Sequence, residues 1–95
     1  METKSKVYLG RRVLITGASR GIGSALTEWL ADKGADVLAV GRSREDLSRS
    51  RVQYLALDLS SEENTSKLIQ HANQFEPDTV VHALGGGFGL SSDLI

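Results

Sequence analysis

The residues of this chain best suited to chemistry stand in "TGASRGIG", positions 16 to 23, where three glycines and two hydroxyl side chains follow directly on the apolar run "VLI". Glycine in mid-chain costs roughly 0.5–1 kcal/mol relative to alanine, so three at fixed spacing imply a steric demand. Backbone N–H groups at the start of a helix, with the helix dipole behind them, favour an anion, and glycines leave room for one to approach. Two guanidinium groups come with this stretch: Arg20 inside it and Arg42 in "VLAVGRS". Such groups can hold a phosphate through two parallel hydrogen bonds. An acid–base pair is harder to assemble. The candidates are His71, His82, Tyr8 and Tyr54, and there is no cysteine to act as a nucleophile or thiolate ligand. His71 falls on the polar face of a helical pattern and reads as a surface residue. His82 has no acid or base near it in sequence and is expected to be a buried histidine, satisfied by a hydrogen bond across strands.

These groups need elements to position them. Four short apolar runs, "RVLIT" (12–16), "DVLAV" (36–40), "VQYLAL" (52–57) and "DTVVHAL" (78–84), read as strands bounded by Gly, Asp or Pro. Ile22, Ala25, Leu26, Trp29 and Leu30 recur at helical spacing and predict a helix that ends near Lys33 and Gly34. Ser60 and Glu63 have the spacing of a capping box, and Leu68, Ile69 and Ala72 supply an apolar stripe, which predicts a helix from about Ser61 to Gln74 that stops before Pro77. The segment 43–50 suggests a shorter helix with Ser43 as its cap and only Leu47 to bury. The order β-α-β-α-β-α-β implies a partial Rossmann-type, doubly wound parallel α/β sheet of about four strands and three helices. In such sheets ligands bind at the carboxyl ends of the strands where the winding reverses, here between the first and fourth strands. Both "TGASRGIG" and "HALGGGFG" lie at that rim.

Length and composition are compatible with this plan. Ninety-five residues make one domain with a modest core, and 11 basic against 12 acidic side chains give no basic stripe for nucleic acid. No apolar run has the length of a membrane span, and "METKSKVYLG" lacks the hydrophobic centre of a secretory signal, so a cytoplasmic location is expected.

Within this frame a dinucleotide's pyrophosphate would sit over the helix that begins at Ile22. Gly17 would make the tight turn, Gly21 would admit the phosphates, and Gly23 would let the helix lie close on the sheet. "TGASRGIG" after a first strand resembles the short-chain dehydrogenase/reductase family, whose fingerprint T-G-x-x-x-G-x-G is matched at Thr16, Gly17, Gly21 and Gly23. The spacing departs from the G-x-x-G-x-x-G-like form of that family's extended epimerase branch. At the end of the second strand, where an acid would hold the ribose 2′-hydroxyl of NAD, this chain has Gly41 and Arg42. Arg42 and Arg20 are suited to a 2′-phosphate instead, and the resemblance likewise associates basic residues at these places with NADP(H). It further implies that Asp58, ending the third strand in "ALDLS", hydrogen-bonds the adenine amino group with Leu59 beside the ring. Asp58 also suits the opening of the next helix. The cofactor-facing set is thus Gly17, Ser19, Arg20, Gly21, Ile22, Gly23, Arg42, Asp58, Leu59, Leu84 and Gly85, with no catalytic residue and no metal ligand among them.

Two departures accompany the resemblance. Where the family has N-N-A-G after its fourth strand, this chain has His82, Ala83, Leu84 and Gly85, so the bracing asparagines are absent and His82 is left to substitute for them. The family's catalytic Ser and Tyr-x-x-x-Lys are also missing, since neither Tyr8 nor Tyr54 has Lys four residues later. Residues 1–95 therefore read as the N-terminal part of a single dinucleotide-binding domain, a fragment of a longer chain. The implied function is the NADP(H)-binding portion of an oxidoreductase that transfers hydride to or from a small carbonyl or alcohol substrate, as a homo-oligomer of the full-length chain, without nucleic-acid or membrane partners. The alternative is a nucleotide-binding or regulatory module without chemistry, or a segment that completes a partner chain.

Overall fold

Two of the apolar runs are uninterrupted because both of their faces are covered. In the computed structural model, which describes residues 7–43 and 47–83, these are β1 (Arg12–Thr16) and β2 (Asp36–Gly41), every residue of which is buried except the first of each. The remaining elements are α1 (Gly21–Asp32), β3 (Val52–Ala56), α2 (Glu62–Phe75) and β4 (Thr79–His82). The four strands pair in parallel in the order β3-β2-β1-β4, with Val13 opposite both Val37 and Thr79. The chain winds outward from β1 to β3 and then returns to the far side of β1. The reversal therefore falls between β1 and β4, as the element order implies, and the Rossmann-type α/β class holds.

Side chains alternate across the sheet and divide the core in two. Val13, Ile15, Val37, Ala39, Val52 and Tyr54 face α1, where Leu30 and Ala31 meet them. Leu14, Leu38 and Val40 face the other way, toward Leu68, Ala72 and Phe75 of α2. This second layer is thinner, for α2 has no fully buried residue and Ile69 is half exposed. Arg12 ties α2 to the sheet: its Nε donates to the Phe75 carbonyl at 2.6 Å, and its guanidinium stacks 4.3 Å from the Phe75 ring.

Three expectations need correction. The buried residues of α1 are Gly23, Thr27, Leu30 and Ala31; of the expected stripe Ile22, Ala25, Leu26, Trp29 and Leu30, only Leu30 is among them. Leu26 packs partly against the core, while Ile22 is 80% exposed and Trp29 lies outside against Tyr8. The helix has turned its small residues inward because small residues permit a close approach to the sheet. Thr27 can follow them because its hydroxyl donates to the Gly23 carbonyl at 2.8 Å. The cap of α2 is Ser61, whose side chain accepts from Asn64 N, and not Ser60. The expected helix over 43–50 is not formed at its described end. Residues 44–46 lie outside the described residues, and Arg49 makes an isolated antiparallel bridge with Val52. One apolar residue is too little to hold a helix there, although Leu47 does pack on the α1-side core. Among the described residues no helix is long and apolar enough to cross a membrane.

Candidate functional site

The turn from β1 into α1 puts a bare helix start at the rim of the sheet. Arg20 takes the N-cap position without a side-chain capping bond, and no acid stands in the first turn. The free N–H groups and the positive end of the helix dipole therefore face outward uncompensated, an arrangement that favours an anion. Gly21 has φ +64° and open space within 4 Å of its Cβ position, so its glycine character answers to backbone conformation and leaves the helix mouth clear. Gly23 is different. A Cβ there would stand 2.0 Å from the Gly17 carbonyl oxygen, so this position is fixed by the packing of α1 on the glycine turn.

Beside the turn, Ser19, Arg20, Arg42 and Ser43 line an open cavity of about 580 Å3. The structure brings the two arginines, 22 positions apart in sequence, to one hollow, and none of the described residues that line it is a carboxylate. Gly41, at the end of β2, directly precedes Arg42. A Cβ at this position would lie 2.7 Å from the Tyr54 hydroxyl and 2.8 Å from Ser19 N, so no residue with a side chain fits without displacing one of them. A carboxylate side chain at position 41 itself, where an acid would follow the second strand, does not fit this packing.

Asp58 is exposed beyond β3, and its Oδ1 accepts from Ser60 N at 3.0 Å while its carbonyl accepts from Asn64 Nδ2 at 2.8 Å. The Ser60 N–H foremost, with the Arg42 charge contributing, holds its carboxyl below the ordinary value. Asp58 thus braces the entry to α2 within the field of Arg42. Leu59 packs partly against the α2-side core. Ile22 is exposed at the helix mouth. Leu84 and Gly85 lie outside the described residues. His82 makes the cross-strand bond expected of it, with Nδ1 2.8 Å from Thr16 Oγ1, which fixes the carboxyl end of β4 to that of β1. It is exposed, however, and not buried, because β4 is an edge strand. His71 is half-buried. Among the described residues no cluster of His, Asp or Glu could hold a metal ion.

Sequence reasoning passed over Ser43 and Tyr54 at this site and the steric closure of Gly41. A glycine ending a buried strand directly before an arginine was the available signal, but what fills its missing side chain comes from a strand eleven residues further on.

Residues 11–88 match the short chain dehydrogenase family. The chain is 34% identical over 88 residues to an uncharacterized oxidoreductase of Emericella nidulans, covering 85% of this chain and 34% of that protein. It is 36% identical over 74 residues to the D-erythrulose reductase of Gallus gallus, covering 73% of this chain and 30% of the relative. A short chain dehydrogenase from Leptospira borgpetersenii, solved with bound NAD+, superposes with a TM-score of 0.65 at 26% identity, over 82% of this chain and 32% of that one. The chain thus spans about a third of the length of the relatives it matches. On the fingerprint, the sheet order and the match across most of its length, the chain belongs to the short-chain dehydrogenase family.

Proposed function

We propose that this chain is the NADP(H)-binding portion of an oxidoreductase that transfers hydride between the nicotinamide and a small carbonyl or alcohol substrate. The observation that carries the reading is the cavity lined by both Arg20 and Arg42, beside a glycine at the end of β2 whose position leaves no space for a carboxylate side chain. A 2′-phosphate placed there would gain two charge-assisted partners, whereas a bare 2′-hydroxyl would find no carboxylate at position 41 or among the described residues of the lining. The uncapped start of α1 would take the pyrophosphate, and Asp58 with Leu59 would take the adenine. The cofactor would supply the hydride, and these residues hold and orient it. The bound NAD+ of the Leptospira neighbour and the reductase activity named for the Gallus relative support the class of cofactor and reaction.

Titration calorimetry of the wild type and Arg42→Ala with NADPH and NADH tests this. Removing one charged partner of the 2′-phosphate should weaken NADPH by about tenfold to a hundredfold and leave NADH nearly unchanged. Equal losses for both nucleotides, or a wild type that prefers NADH, would overturn the assignment.

A further inference from the structure

Tyr54 is buried in the α1-side core at 8% exposure, and its hydroxyl reaches the end of β2, where it is bonded to a residue that lines the arginine cavity. From β3 the phenol passes beneath the end of β2 and donates to the Ser43 carbonyl at 3.2 Å. Its backbone N–H donates to Ser48 Oγ at 3.0 Å, so the residue holds both ends of the segment that leaves β2 and returns to β3. Its hydroxyl and Ser19 crowd the same point, the vacant Cβ position of Gly41, at 2.7 and 2.8 Å. The Tyr54 hydroxyl thus lies beside a residue of each wall of the cavity: Ser43 at the end of β2, to which it is bonded, and Ser19 of the glycine turn, which meets it at the Cβ position of Gly41.

We propose that Tyr54 is a positioning residue for nucleotide specificity: through the Ser43 carbonyl and the contact at Gly41 its hydroxyl fixes the separation of Arg20 and Arg42, and so the preference for a 2′-phosphate. The proposal rests on the NADP(H) reading above. Bidentate recognition of a phosphate by guanidinium groups depends on their separation and angle, while an apolar core has no need of a hydroxyl at this place. A hydrogen bond to the Ser43 carbonyl, next in chain to Arg42, fixes the backbone from which that side chain departs. Tyr54 touches no nucleotide and acts through Arg42 and Ser19.

The test uses two probes that need no chemistry, adenosine 2′,5′-bisphosphate and AMP, with Tyr54→Phe and Gly41→Ala. Phenylalanine keeps the core ring and removes only the oxygen. The preference of Tyr54→Phe for the bisphosphate over AMP is expected to fall about threefold to tenfold, with AMP affinity held and the thermal midpoint lowered by no more than the several degrees of one lost hydrogen bond. Gly41→Ala, which forces Ser19 and the Tyr54 hydroxyl apart from the other side, should lower the same ratio. A wild type without preference for the bisphosphate overturns the NADP(H) reading and this inference with it. A wild-type preference retained in Tyr54→Phe overturns the inference alone. So does a Tyr54→Phe that loses both ligands equally or fails to fold, since the hydroxyl would then serve the fold and not the spacing.

Discussion

Two glycines separated by one residue should respond unequally to the same added methyl. At Gly23 an alanine Cβ would stand 2.0 Å from the Gly17 carbonyl oxygen, 2.8 Å from its carbon and 3.0 Å from Ala18 Cα. All three are backbone atoms of the turn that holds α1 on β1, so relief needs the helix to lift until the first contact opens to an ordinary 3.4 Å. Overpacking of this kind costs about 1–3 kcal/mol or more, and because no flexible side chain can yield here the upper end applies. Alanine regains about 1 kcal/mol in helix propensity, which leaves a net loss of roughly 2 kcal/mol or more. At Gly21 nothing lies within 4 Å, and the only obstacle is φ +64°. Holding an L-residue there costs about 1–2 kcal/mol. A stiffer unfolded chain returns about 0.4–1 kcal/mol of that, for a net loss near 1 kcal/mol or less. In a domain of this size each 1 kcal/mol moves the thermal midpoint by about 4–8 °C, so Gly23→Ala should melt several degrees below Gly21→Ala. The two variants would be compared by circular dichroism melts and urea titrations under the same conditions. A Gly23→Ala protein as stable as Gly21→Ala would refute the account of α1 seated on its own turn.

Ser61→Ala should cost about 1 kcal/mol through loss of the α2 cap, whereas Ser60→Ala should cost clearly less, as read from denaturation midpoints. The Asp78 carboxyl is held below its ordinary value of 3.8 by the Arg12 N–H first and by the Thr79 hydroxyl next, with Arg11 adding its charge. A carboxyl lowered in this way stabilises the fold fully above 3.8 and loses that contribution as pH falls through its native value, so the deficit of Asp78→Asn in urea midpoint should close in acid. A deficit that persists unchanged at low pH would count against the pairing. In hydrogen exchange the amides of β4, at the sheet edge with Val80 half exposed, should exchange faster than those of β1, which is paired on both sides. Equal protection in a monomer would show that β4 is held by more than β1.

The sequence by itself determined the strands, the two long helices and the rim at which the glycine turn lies. Those features rest on local period and composition: β1 and β2 are apolar without interruption because both faces are covered, and Pro77 closes α2 just after Glu76 turns left-handed. Wherever two elements had to meet, the tertiary structure decided. Hydrophobicity alone gave α1 the outward stripe of Ile22 and Trp29, since it cannot register that Gly23 and Ala31 bury well through close backbone approach, or that Thr27 carries its hydroxyl inward on a carbonyl of its own helix. The choice of Ser61 over Ser60 was settled by the angle at which the chain enters α2, held by Asp58 on the Ser60 N–H. The site divides in the same way. The fingerprint and the two arginines were legible as residue types at fixed intervals. That Arg20 and Arg42 share one cavity follows only from the parallel pairing of β1 with β2, and that Gly41 can carry no side chain from that of β2 with β3, which brings the Tyr54 hydroxyl to its Cβ position. Distances of that kind belong to pairs of residues far apart in the chain, and no local pattern encodes them.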